Sequence, residues 1–143
     1  MYLQAAIAMA KMAVQKGEVP IGAVIVKDNQ IIARAHNLKE SKKDCTAHAE
    51  LLAIKAAQDV IGDWRLNKCI LYSTLEPCPM CMGAILHARI DKVIFGAKDH
   101  KWGACGTQVT LSHPDRFNHY TETVFVDTPK CANLLTQFFK SVR

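Results

Sequence analysis

Residues 75–84, LEPCPMCMGA, place Cys78 and Cys81 three residues apart at the start of a predicted helix. Pro79 stands in the first turn of that helix, where its missing N–H group costs nothing. The two sulfur atoms then share one face of the helix. A C-x-x-C pair alone fits a redox couple, half of a structural zinc knot or two ligands of a catalytic metal site. The rest of the chain has to decide between these.

The stretches on either side predict alternating helices and strands. An amphipathic helix opens the chain, and a hairpin with Asp28-Asn29 at its turn follows. A polar loop over 37–46 leads into a helix rich in Ala and Leu. Further strands are predicted in KCILYST, KVIFGA and TETVFV, and a last helix in KCANLLTQFFKSV. This order predicts one domain over 1–143, an α/β three-layer α/β/α sandwich around a mixed sheet of about five strands.

The composition is that of an ordinary globular domain. Hydrophobic residues make up 50% and charged residues 22% of the 143, which excludes disordered and fibrous classes. The apolar runs are short, and no basic segment followed by an apolar block opens the chain, so we expect neither a membrane span nor a signal peptide. We therefore expect a cytoplasmic protein. The net charge of +5 mildly favours an acidic partner such as nucleic acid, without proving one.

A histidine at the start of the preceding predicted helix adds a third metal ligand. Catalytic zinc is typically held by three protein ligands with the fourth position open, whereas a structural site is closed by four. His48, in TAHAE, joins Cys78 and Cys81 to make three. The remaining cysteines have no partner at C-x-x-C spacing: Cys45, Cys69, Cys105 and Cys131. The spacing therefore predicts an open zinc site rather than a closed knot.

Glu50 follows His48 by two residues, a spacing that keeps the two side chains off the same spot of a helix. We therefore predict that Glu50 stands beside the metal-bound water as a general acid and base, and not as a further ligand. Taken singly, these residues have ordinary interpretations. The cysteine pair fits a redox couple, His48 a buried hydrogen-bonded histidine and Glu50 a solvated helix residue. Only the combination favours the metal site.

H-x-E followed by P-C-x-x-C resembles the signature of zinc-dependent nucleobase deaminases. The sequence resembles the cytidine/deoxycytidylate deaminase superfamily and, within it, the bacterial tRNA adenosine deaminases. Matching stretches run through nearly the whole chain: EVPIGAVIV, TAHAELLAI, DWRL, LYSTLEPCPMCMGAI, RIDKVIFGAKDHKWGACG, NH at 118–119 and LLTQFFK. The resemblance implies a cytidine deaminase-like fold and a homodimer that converts the wobble adenosine of the tRNA anticodon loop to inosine. One zinc per subunit would be bound by His48, Cys78 and Cys81, and Glu50 would transfer protons.

The resemblance also implies which residues bind the anticodon stem-loop. Asn37 matches an asparagine that contacts the nucleotide in relatives, and Asp99 lies in a loop that holds an aspartate near the ribose, where it would sense the 2′-OH. Asn118 and His119 resemble residues of the family's substrate loop. A turn residue is the ordinary alternative for Asn37, and a solvated charge for Asp99.

Two other functions remain open. The same chemistry on a free base or nucleotide, such as guanine or deoxycytidylate, would need no contact with tRNA. A zinc-stabilised module without turnover, such as an inactive partner subunit, is the other. The intact Glu50 argues against the inactive module, because a structural site needs no proton shuttle.

Overall fold

Five helices and five strands lie along residues 2–142, the part of the chain that the computed structural model describes, in the order α1-β1-β2-α2-α3-β3-α4-β4-β5-α5. The helices are α1 (Tyr2–Gln15), α2 (Lys39–Lys42), α3 (Ala49–Ile61), α4 (Pro79–His87) and α5 (Pro129–Ser141). The strands are β1 (Gly22–Lys27), β2 (Gln30–His36), β3 (Cys69–Ser73), β4 (Lys92–Phe95) and β5 (Glu122–Phe125).

The five strands form one mixed sheet in the order β2-β1-β3-β4-β5. Strand β1 is antiparallel to both β2 and β3, whereas β3, β4 and β5 are parallel to one another. One row across the sheet joins Ile25 to Leu71 and Leu71 to Val93. Helix α3 packs on one face of the sheet with α4 beside it, and α1 packs on the other with α5 beside it. The predicted three-layer sandwich with a mixed sheet is therefore confirmed.

Strand β1 is buried on both faces of the sheet, as its unbroken run of apolar residues predicts for a strand between two helical layers. The hairpin that follows it turns at Asp28 and Asn29, whose φ angles are 51° and 61°. Both residues lie in the left-handed region that a two-residue hairpin turn requires and that Asp and Asn tolerate. The predicted hairpin is confirmed.

Helix α1 lies unusually close to the start of β1. A Cβ atom at Gly22 would collide with the carbonyl oxygen of Ala6 and the backbone nitrogen of Ala10. Both alanines are fully buried, so small residues on the helix and a glycine on the strand together permit this approach. The contact fixes the beginning of β1 next to the functional site described below.

The predicted polar loop over 37–46 is wrong at one point, because residues Lys39–Lys42 form the short helix α2. Its first turn is held from outside by Glu18, whose fully buried carboxylate accepts hydrogen bonds from the backbone N–H groups of Glu40 and Ser41. The partners are more than twenty residues apart, so local sequence patterns do not reveal the contact. Within residues 2–142, no helix is both long and apolar enough to cross a membrane.

Candidate active site

Two helices begin at the candidate site, and each supplies from its first residues a side chain of a type that can bind a metal. His48 is the N-cap of α3 and Cys78 the N-cap of α4, both with extended backbone and without a side-chain capping hydrogen bond. Pro79 occupies the first turn of α4 as predicted, and Cys81 follows one turn into the helix. The two helix ends therefore leave their ligand atoms free to meet in one place.

The ligand atoms of His48, Cys78 and Cys81 lie within 4.8 Å of one another. The Nδ1 atom of His48 is 3.7 Å from the Sγ atom of Cys78 and 3.5 Å from that of Cys81. A tetrahedral zinc ion with a Zn–S distance of about 2.3 Å and a Zn–N distance of about 2.0 Å separates such ligands by about 3.5 Å. These spacings, and a donor set of two sulfurs and one imidazole, fit a metal ion.

The pKa values of the two cysteine thiols are shifted in opposite directions. The hydrogen bond from Cys81, followed by that from His48, lowers the pKa of Cys78 to about 4. The same hydrogen bond and burial raise the pKa of the Cys81 thiol. The hydrogen bond to Cys78 also raises the pKa of His48, against the effect of burial. One sulfur is thus already a thiolate at neutral pH, which is the form that binds metal.

Glu50 lies in the first turn of α3 with only 4% of its surface exposed. Burial raises the pKa of its carboxyl group to about 7. Its carboxylate does not belong to the group of three converging ligand atoms found within residues 2–142. A carboxyl group that changes protonation near neutral pH suits an acid and base beside the site better than a metal ligand.

A cavity of about 430 Å³ opens onto these residues. This volume lies within the range of about 300–1,000 Å³ that small-molecule sites occupy. Ile21 and Leu75 form part of the apolar wall of the cavity. Lys39 and Trp102 lie at its mouth, and both are exposed. The complete lining consists of Ile21, Lys39, Cys45, His48, Glu50, Leu75, Glu76, Cys78, Pro79, Met80, Asp99 and Trp102.

Asp99 lines this cavity, but Asn37 lies behind its wall. The Oδ1 atom of Asp99 accepts hydrogen bonds from the backbone N–H groups of Lys101 and Trp102, which fixes the turn at the cavity mouth. Asn37 is 5% exposed, and its side-chain Oδ1 atom accepts a hydrogen bond from the backbone of Lys39. Its own backbone N–H donates to the carbonyl of Ile21. Asn37 therefore holds two lining residues in place.

Asn118 and His119 line a different cavity, of about 150 Å³, on the side of α4 that carries Gly83 and Leu86. The Nε2 atom of His119 lies 2.8 Å from the carbonyl oxygen of Ile90. The structure does not bring these two residues to the cavity that holds His48. Their role in substrate binding stays a prediction.

Sequence patterns gave no role to two buried carboxylates near the cavity, Glu18 and Glu76. Glu18 holds α2, and Glu76 accepts hydrogen bonds from the backbone of Asp99, Cys105 and Thr107. The sequence feature that could have indicated their burial is a single acidic residue beside apolar neighbours, in EVPIGAV for Glu18 and in LEPC for Glu76. Such residues are rarely buried unless they are fully paired or hydrogen-bonded.

Comparisons with known proteins identify the family of this chain. The model of the MafB19-like deaminase family matches residues 1–143. The tRNA-specific adenosine deaminase of Bacillus subtilis (strain 168) is 50% identical over 144 residues, covering 100% of this chain and 89% of the relative. That of Aquifex aeolicus (strain VF5) is 44% identical over 142 residues, covering 99% of this chain and 94% of the relative.

Two solved structures share the fold. A tRNA:A34 deaminase, from work on A-to-I editing at the wobble position of transfer RNA, superposes with a TM-score of 0.86 at 38% identity, covering 92% of this chain and 96% of the other. Guanine deaminase from Bacillus subtilis gives a TM-score of 0.65 at 33% identity, covering 96% of this chain and 91% of the other. This chain therefore belongs to the MafB19-like deaminase family, and within it to the tRNA-specific adenosine deaminases.

Proposed function

We propose that this protein hydrolytically deaminates the wobble adenosine of the tRNA anticodon loop to inosine, with one zinc ion bound by His48, Cys78 and Cys81. The observation that carries the chemistry is the spacing of 3.5 and 3.7 Å between the imidazole nitrogen and the two sulfurs, beside the buried Glu50. The full-length similarity to tRNA-specific adenosine deaminases supports the choice of substrate.

Glu50 moves the protons of the reaction. When bound, zinc supplies a Lewis acid that brings the pKa of a coordinated water molecule close to neutral. Glu50 accepts a proton from water and delivers protons to the adenine ring nitrogen and to the amino group that leaves C6 as ammonia. The oxygen of water becomes the O6 atom of inosine, so one water molecule is consumed for each ammonia released. A carboxyl pKa of about 7 allows the same group to accept and to return a proton near neutral pH.

The cavity binds the base and its ribose through different residues. Ile21 and Leu75 offer apolar surface to the flat purine, and the exposed indole of Trp102 offers a stacking surface at the mouth. We assign recognition of the ribose 2′-OH to Asp99, which is half-buried at the mouth. Asn37 positions the nucleotide by holding the cavity wall.

The proposal extends to a homodimer that acts in the cytoplasm, where tRNA is modified, and to a substrate contact by Asn118 and His119. Light scattering coupled to size-exclusion chromatography tests the dimer, since the mass should be twice the 15.9 kDa of the chain. Replacing His119 by Ala tests the contact through the KM for the stem-loop. A monomer, or an unchanged KM in the variant, contradicts the corresponding part.

The decisive experiment compares one anticodon stem-loop with its closest variants. The zinc-loaded protein is incubated with a stem-loop bearing adenosine at the wobble position, with the same stem-loop bearing that adenosine at the neighbouring loop position, and with free adenosine, guanine and deoxycytidylate. We expect inosine only in the first. Glu50→Gln, prepared in parallel, controls for contaminating deaminases.

The alternative is a deaminase of a free base, and guanine is the candidate that a specific observation favours. The structure of Bacillus subtilis guanine deaminase matches 96% of this chain, although its TM-score is below that of the tRNA:A34 deaminase. Turnover of guanine without inosine in the stem-loop would establish this alternative and overturn the proposal.

A further inference from the structure

The carboxylate of Glu76 accepts hydrogen bonds from several residues of the loop that carries Asp99. Its Oε1 atom accepts hydrogen bonds from the backbone N–H of Asp99, at 3.1 Å, and from the hydroxyl of Thr107. Its Oε2 atom accepts from the backbone N–H groups of Cys105, at 2.9 Å, and Thr107, at 3.2 Å. Only 1% of Glu76 is exposed. Residues 98–107, hereafter the rim loop, are thus wound around one buried anion.

The rim loop is shaped to fit this carboxylate. A Cβ atom at Gly103 would come within 2.5 Å of the carboxyl carbon and both oxygens of Glu76, so only glycine allows the loop to pass so close. The next residue, Ala104, donates its backbone N–H to the carbonyl of Pro77 at 2.9 Å. Two successive residues, Glu76 and Pro77, therefore bind the rim loop.

The same segment also supplies a metal ligand, because Cys78 is the next residue after Pro77. At its other side the rim loop presents Asp99 and Trp102 to the cavity. The stretch from Glu76 to Cys78 therefore links the mouth of the cavity to the metal site through a chain of direct contacts.

No cationic side chain forms an ion pair with Glu76 among residues 2–142, where the ion pairs involve other acids. A buried anion without a counter-charge is costly unless hydrogen bonds satisfy it. Here four donors do so, all of them from the rim loop. A neutral amide could not accept at both oxygen positions, so this site requires a carboxylate to close the loop.

We propose that Glu76 is a positioning residue for the deamination: it fixes the rim loop relative to the metal ligands and so sets where Asp99 and Trp102 meet the substrate. The kinetic consequence rests on the proposed function, whereas the effect on the loop does not.

Amide hydrogen exchange of the zinc-loaded Glu76→Gln variant, followed residue by residue by NMR, tests the effect on the loop. The glutamine NH₂ group can replace Oε1, where the Thr107 hydroxyl can rotate to accept from it and only the Asp99 N–H loses its acceptor. In the opposite orientation two backbone donors lose theirs. We therefore expect exchange at Asp99 to accelerate about tenfold or more, as for the loss of one hydrogen bond to a charged group.

Glu18→Gln is the matched control, because Glu18 is equally buried and binds the backbone of α2 instead. Exchange should accelerate at Glu40 or Ser41 in this variant and within the rim loop in Glu76→Gln, and neither variant should accelerate exchange at the other segment. Unchanged exchange at all three of Asp99, Cys105 and Thr107, or equal acceleration throughout both proteins, overturns the proposal. If Glu76→Gln does not fold, Thr107→Val removes one hydroxyl donor to the same carboxylate, and faster exchange confined to the rim loop is again required.

The kinetic readout separates positioning from general damage. In Glu76→Gln we expect the KM for the stem-loop to rise about tenfold, matching the loss of one such hydrogen bond, with kcat changed by less than about threefold and one zinc still bound per chain. A fall in kcat together with zinc content, at unchanged KM, would place Glu76 in the metal site and refute the positioning role. If the wild-type protein does not deaminate the stem-loop, the proposed function fails while the exchange result still decides the role of Glu76 in the loop.

Discussion

Replacing Glu50 by glutamine should abolish turnover and leave the metal in place. General acid–base catalysis by one side chain contributes about 10²- to 10⁴-fold. We expect the upper end here, because one buried carboxyl group is assigned both the proton taken from water and the protons delivered to the base. A loss of about 10⁴-fold corresponds to about 5 kcal/mol of transition-state stabilisation.

Single-turnover conversion of the stem-loop to inosine measures this loss, and elemental analysis of the same protein measures the metal. Glutamine keeps the size of the side chain, and Glu50 is not one of the three ligand atoms, so zinc should stay at one per chain. Cys78→Ala is the contrasting variant, in which zinc and turnover should disappear together. The assigned role is wrong if Glu50→Gln loses its zinc, or if it keeps activity within about tenfold of the wild type, the step that 1.36 kcal/mol produces.

Three further outcomes concern stability. Gly22→Ala should cost roughly 3 kcal/mol in urea unfolding, because the new methyl group meets the backbone of α1, and a loss below about 1 kcal/mol would show that α1 moves aside freely. Burial alone would raise the pKa of Glu18, but hydrogen bonds from Ser41 and Glu40 outweigh it and lower the pKa below 4.5. The ionised Glu18 therefore stabilises the folded protein fully above pH 4.5, and this stabilisation is lost as the pH falls through the folded-state pKa. In Glu18→Gln the free energy of unfolding should depend less on pH in this acid range, and an unaltered pH dependence contradicts this. Chelation should lower the melting temperature of the zinc-loaded wild type and leave that of Cys78→Ala unchanged, and equal shifts in both would exclude metal binding at this site.

Most of the fold could be predicted because the dominant signals are local. The Asp28-Asn29 pair marks a turn by its tolerance of positive φ, and the unbroken apolar run of β1 indicates a strand covered on both faces. Helix α2 escaped prediction because what holds it is the carboxylate of Glu18, which lies far away in sequence. The terminal helix α5 was predicted from its apolar residues, yet Phe139 stays 46% exposed while Cys131 is buried. Periodicity reports which face is apolar, but not how much of it the neighbouring helix covers.

The convergence of His48, Cys78 and Cys81 could be predicted from the sequence, because metal chemistry restricts ligand residue types and their spacing narrowly. Spacing places Cys78 and Cys81 on one face of a helix start. His48 and Glu50, at the start of the preceding predicted helix, complete the predicted site, and the resemblance supports their roles. Only the tertiary structure brings the imidazole within 3.7 Å of both sulfurs, because α3 and α4 begin at the same point above the sheet. Only it shows that Glu76, an acidic residue with no counter-ion among residues 2–142, organises the mouth of the cavity. Residue types determine which chemistry is possible. Burial and hydrogen bonding between distant segments determine where the substrate meets the reacting groups, and no local pattern encodes these contacts.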